Sequence, residues 1–168
     1  MADQSIDTMF CVDSDNSIIL KESTNSIYFN ASITPKTSSL LIDQLIMLEK
    51  IITNKHNKLK RKYEEFCKNE DDNDDNDNDN DNIKITFEYK PIKLYITSNG
   101  GYVYQVFSII DTIKSLVVPV HTICKGFVAS AGTLLSLAGE KRFITKNSYM
   151  LIHELRAGTW GKYTHMFV

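Results

Sequence analysis

Long apolar runs are missing from this 168-residue chain, and no stretch approaches the roughly 18 residues that would suggest a membrane span. The opening MADQSIDTMF has no basic region followed by an apolar one, so no secretory signal is expected. Cysteine is scarce too. Cys11, Cys67 and Cys124 are widely spaced and odd in number, which fits neither a disulfide framework nor a metal-ligand set. That usage favours a reducing, cytoplasmic compartment. The phosphate-binding GK(S/T) loop, the dinucleotide GxGxxG fingerprint and the GxSxG nucleophile elbow are all absent, and no cofactor is expected.

What is present describes one soluble globular domain, with 42% hydrophobic and 24% charged residues. The net charge of −2 conceals an asymmetry. The tract from Asn69 to Asn82 carries eight acidic residues and no basic one, leaving +6 on the rest of the chain. Such an Asp/Asn repeat cannot bury enough apolar surface to fold, and reads as a surface insertion. Its carboxylates lack the glycine turn and terminal Glu of an EF-hand, so no metal site is assigned. Lys55, Lys58, Lys60, Arg61 and Lys62 form a basic cluster without interleaved aromatics. That cluster is a solvated helix face beside the acidic tract, not a nucleic-acid module.

Taken in order, residues 1–25 read as a loosely ordered N-terminal arm. Residues 26–168 read as one domain, interrupted by the insertion at about 55–82. Ser26–Asn30 is a strand. Thr34 and Pro35 supply cap and first-turn chemistry for a helix over about 38–54, with Leu40, Leu41, Leu45, Leu48, Ile51 and Ile52 at helical spacing. The charged residues up to Cys67 can prolong it. Strands are expected at Ile83–Tyr89 and Lys93–Thr97, the second running into the Gly100–Gly101 turn. A helix over 102–116, a strand to Cys124, a helix from Ser130 to about Gly139, and strands at 142–144 and 149–152 complete the order. Alternating β and α units predict an α/β fold with a largely parallel sheet. In such sheets function collects at the carboxyl ends of strands, where Gly100–Gly101, Ser130 and His153 all fall.

Ser130 admits two readings at this stage. A serine at the start of a helix is a preferred N-cap. It is also a position where unpartnered N–H groups stabilise negative charge, as an attacking alkoxide and its oxyanion require. His153 is either a surface imidazole or the base that takes the serine proton. His56, His121 and His165 lie in a charged helix, at a strand start and near the terminus, and compete less well.

The stretches SNGGYVYQVFSIIDTIKS and VHTICKGFVASAGTLLSLAGEKRFITKNSYMLIHE resemble the proteolytic subunit of the Clp protease, the ClpP family of S14 peptidases. The likeness covers about residues 26–53 and 93–168. It implies the crotonase-like ββα spiral, with Ser130 as nucleophile, His153 as general base, and the N–H groups of Gly101 and Ala131 as oxyanion hole. It also implies substrate contacts from Tyr102, Val103, Leu155, Arg156 and Ala157. The implied partners are unfolded polypeptide substrates, a homo-oligomeric ring of like subunits and an ATP-driven AAA+ unfoldase, with neither nucleic acid nor membrane. The alternative reading is a catalytically inactive or degenerate subunit with a structural or regulatory role. A crotonase-like acyl-CoA enzyme shares the fold, but such enzymes do not rely on a Ser/His pair.

The sequence departs from the family at several places. Asn99 replaces the proline before the double glycine, and the Ser-to-His interval is two residues shorter around Ala138–Lys141. Glu154–Gly158 stands where family members often read Q-P-x-G-G. No Asp matches the triad acid, because Asp111 falls on the family's I-x-D-T helix. In the family the triad Asp and the handle helix lie beyond the position matching Val168. The handle and final elements are therefore expected to be missing or incomplete within these residues. A complete chain of this kind would expose an apolar face and assemble poorly into rings, whereas a fragment of a longer product implies an active serine peptidase as parent.

Overall fold

A computed structural model of the chain describes residues 7–11, 16–70 and 86–154. Strands β1 (Asp7–Cys11), β2 (Ser17–Lys21) and β3 (Ser26–Asn30) lead into helix α1 (Pro35–Glu70). After the insertion come β4 (Ile92–Ser98), α2 (Val103–Ser115), β5 (Val120–Ala129), α3 (Ala131–Leu137), β6 (Lys141–Ile144) and β7 (Tyr149–Leu151). All seven strands join one sheet in the order β1-β2-β3-β4-β5-β6, with β7 also on β5. The first two pairings are antiparallel and the rest parallel.

The expected loose arm is corrected at this edge, because 7–11 and 17–21 are sheet strands. Ile18 and Leu20 of β2 are fully buried, which fixes its register through one apolar face. Of the strand expected over 83–89, residues 86–89 carry no strand, and 83–85 lie outside the described residues. Pro91, which has no N–H to give to a ladder, precedes the first paired residue, Ile92.

Alternation builds the core. Ile92, Leu94 and Ile96 of β4 are buried while Lys93, Tyr95 and Thr97 face the other side. Leu41, Leu45 and Leu48 of α1 and Val106 and Ile109 of α2 close over the buried face with no exposure. At roughly 2 kcal/mol for each fully buried aliphatic side chain, this layer is the main source of stability. The opposite face carries a stacked Tyr28–Tyr95 pair with ring centroids 4.6 Å apart.

Helix α1 starts on a reciprocal cap. Thr37 Oγ1 accepts from the Thr34 N–H at 2.9 Å, and the Thr37 N–H donates to Thr34 Oγ1 at 3.2 Å. The helix is much longer than the 38–54 expected. Beyond Ile52 most of its side chains are exposed, so the core does not hold that half. Instead His56 packs on Tyr89 at 4.3 Å and Tyr63 on Phe87 at 5.4 Å, tying the extension to the returning chain.

Candidate active site

Strand β5 is the spine of the site. It runs past Cys124, where the sequence suggested an end, and reaches Ala129. Its first half pairs β6 through His121–Cys124, and its second half pairs β7 through Phe127–Ala129. Between the halves the chain is irregular. On the β4 side, Ile96 faces Cys124 but Ser98 faces Val128, so β5 holds two extra residues in a bulge. Gly126 makes this turn at φ 70°. Bulges of this kind re-aim the strand that follows, and the following residues here are Val128, Ala129 and Ser130.

Ser130 adopts φ 53° and ψ −125°, a combination that side-chain-bearing residues rarely take, and its side chain makes no capping hydrogen bond. The capping reading therefore fails. A local strain of this kind persists where neighbours over-determine it. The Ser130 N–H donates to Leu151 O at 3.0 Å, and Thr133 N–H donates to Ser130 O at 2.9 Å. The Gly100–Gly101 turn closes from the other side. A Cβ at Gly100 would lie 2.6 Å from Ser130 Cβ and 3.0 Å from Ala131 N, so only glycine permits this approach. The Gly101 and Ala131 amides donate to no protein group among the described residues.

His153 is exposed and stands two residues beyond Leu151, the last residue of β7. Because Leu151 pairs with Ala129 in parallel register, Ser130 and His153 leave the same end of neighbouring strands. Nδ1 of His153 lies 2.6 Å from Glu154 O. A carbonyl can only accept, so this contact places a proton on Nδ1, and in the neutral imidazole the lone pair a general base needs is then on Nε2. Tyr102 caps α2 beside the glycine turn with its side chain exposed, and its N–H donates to Ile33 O at 2.9 Å. Val103 is half-buried. Leu155, Arg156 and Ala157 lie outside the described residues.

Sequence reasoning missed the strained Ser130 backbone and the carbonyls of Ile33 and Leu151, since no residue type announces them. A cavity of about 610 Å³ lined by Glu22, Lys55, His56, Phe87 and Lys93 sits elsewhere. It lies at the amino ends of β3 and β4, the opposite end of the sheet from Ser130. Among the described residues no group of His, Cys, Asp or Glu could hold a metal ion, and no helix is long and apolar enough to cross a membrane.

A sequence model of the family described as Clp protease matches residues 83–167, half of the chain. The chain belongs to the Clp protease family. It is 46% identical over 74 residues to the ATP-dependent Clp protease proteolytic subunit 2 of Treponema pallidum, a match covering 43% of this chain and 37% of that one. The ClpP catalytic domain of Plasmodium falciparum superimposes with a TM-score of 0.54 at 25% identity, over 80% of this chain and 56% of the other. A ClpP1 variant of Listeria monocytogenes gives the same TM-score and identity over 79% and 57%. The α/β fold is thus that of ClpP catalytic domains. The matches span little more than half the length of these structures and 37% of the Treponema relative.

Proposed function

We propose that this chain is a serine endopeptidase subunit that cleaves unfolded polypeptides. The observation that carries the reading is Ser130 itself. It occupies a strained turn, free of any capping role, held between the Leu151 carbonyl and the Gly100 backbone. Ser130 Oγ attacks the scissile carbonyl while His153 Nε2 takes the hydroxyl proton and passes it to the leaving amine. The N–H groups of Gly101 and Ala131 receive the oxyanion, a contribution worth roughly 3 kcal/mol for each donor. Water then releases the acyl group by the same steps in reverse order. Tyr102, Val103, Leu155, Arg156 and Ala157 align the substrate backbone, and the exposed side chains of β6 and β7 suit assembly into a ring fed by an AAA+ unfoldase.

One observation favours a second reading, a subunit that binds polypeptide with little turnover. The group orienting His153 among the described residues is the neutral Glu154 carbonyl, which fixes the tautomer but stabilises the imidazolium less than a carboxylate does. A fluorophosphonate probe separates the two. Covalent labelling at Ser130, lost in Ser130→Ala, supports the peptidase. A folded chain that stays unlabelled supports the second reading.

A further inference from the structure

Four residues, Thr145 to Ser148, connect β6 to β7 opposite the β5 bulge, and Ser148 is fastened across the gap. The Gly126 N–H donates to Ser148 Oγ at 2.8 Å, and Ser148 Oγ lies 3.3 Å from Cys124 O. The same oxygen is bonded to Thr145 Oγ1, and the Thr145 N–H donates to Cys124 O at 3.0 Å. The Ser148 N–H returns to Thr145 O at 3.0 Å. One donor and two acceptor sites of a serine hydroxyl account for the whole set: it accepts from Gly126 N–H and Thr145 O–H and donates to Cys124 O. From the β4 side, Thr97 Oγ1 donates to Lys125 O at 2.7 Å. The two extra residues of β5 are therefore clamped from both edges.

We infer that Ser148 is a positioning residue that sets His153 against Ser130. Two chain segments leave the clamp. From Gly126, four residues along β5 lead to Ser130. From Ser148, five residues along β7 lead to His153. Both run in parallel, joined by the Phe127–Tyr149, Val128–Met150 and Ala129–Leu151 pairs. That short three-residue strand has every side chain exposed, so no core packing fixes its register. A parallel pair this short is weakly specified by itself, and a slip would move His153 along the strand relative to Ser130. The Ser148 hydroxyl, half-buried at the head of β7, is the group that ties the register to the bulge. The role rests on the peptidase reading for its chemistry, but the geometry can be tested apart from it.

Disulfide closure measures the geometry. In the full chain carrying Ser130→Cys and His153→Cys, mild oxidation joins the two positions, identified by the mass of the crosslinked peptide. Adding Ser148→Ala slows closure about tenfold, the scale of one lost hydrogen bond, and Ser148→Thr, which keeps the hydroxyl, restores it. Fluorophosphonate labelling of Ser130 in the otherwise unaltered chain follows the same order, while Thr112→Val, which removes a hydroxyl on α2, leaves it unchanged. Equal closure rates with and without the Ser148 hydroxyl overturn the assignment, as does slow closure that Ser148→Thr does not rescue. If Ser130 is not labelled in the unaltered chain, the peptidase reading fails and the closure rates alone decide the positioning claim.

Discussion

The Ser130 N–H donates to the carbonyl of Leu151, the last residue of β7, at 3.0 Å, a bond that carries the β5–β7 ladder one residue past the end of β5. It holds the serine in a turn its own φ of 53° disfavours, and it keeps Ser130 in register with the end of β7, two residues before His153. Strain and alignment at this site therefore share one cause. The ladder imposes both, and α3 begins at the next residue.

Replacement of Ser130 by glycine tests that strain. A non-glycine residue in this region of φ and ψ costs on the order of 1–3 kcal/mol, part of which glycine's larger unfolded-state entropy offsets. Ser130→Gly is expected to raise the melting temperature by about 3 °C, equivalent to roughly 1 kcal/mol for a chain of this length. It also removes the labelled hydroxyl. Thermal unfolding followed by circular dichroism reads the first effect, and an unchanged or lower midpoint counts against stored strain.

Glycines 101 and 126 both have positive φ, yet they should differ sharply on substitution. A Cβ at Gly101 would fall 2.1 Å from Ile33 O, the carbonyl that accepts the Tyr102 N–H, so backbone must move. Gly101→Ala is expected to cost about 3 kcal/mol or more, a fall of roughly 10 °C. At Gly126 the nearest atom is Thr97 Cγ2 at 3.8 Å, and only left-handed strain of about 1 kcal/mol remains. Midpoints that fall equally in the two variants would contradict this account.

Much of this fold is legible in the residues, for a definite reason. Ser26–Asn30, Lys93–Thr97 and the α2 stripe of Val106, Ile110 and Ile113 carry strong periodicity, and the elements appear where that pattern puts them. Gly100, Ser130 and His153 do follow the ends of parallel strands. The failures have physical causes as well. Strands β1 and β2 are short and interrupted by polar residues, and are stabilised by pairing in sequence with β3, which no local pattern reveals. Helix α1 runs past its apolar stripe because contacts from His56 and Tyr63 to the distant Tyr89 and Phe87 support it. The β5 bulge was hidden since Gly126 reads equally well as a turn ending the strand.

Cysteine reactivity should divide by burial. Burial pushes the Cys124 thiol up, with a smaller opposing pull from the Ser136 hydroxyl, while Cys67 is half-exposed on the α1 extension. A raised thiol value means less thiolate at a given pH, and the thiolate is the nucleophile. Iodoacetamide at about pH 8 is expected to alkylate Cys67 at least about tenfold faster than Cys124 in the folded chain. In denaturant the two rates converge. Peptide mass mapping over time checks both, and early modification of Cys124 under native conditions would show that β5 opens.

The acidic tract from Asn69 to Asn82 gives the last test. Every side chain in the buried cluster among the described residues comes from 18–52 or 92–138, so none comes from the stretch between α1's buried half and β4. Closing a loop is also weakly dependent on its length, with each doubling worth about 0.6 kcal/mol. Replacing 71–82 by a short Gly/Ser linker is therefore expected to leave the melting temperature within about 5 °C and fluorophosphonate labelling at Ser130 unaltered. The contacts of His56 with Tyr89 and of Tyr63 with Phe87 must survive the same change, because they tether the helix extension from both sides of the tract. A larger fall in midpoint would locate stabilising contacts in the tract itself, and a loss of labelling without such a fall would couple the extension to the far end of the sheet.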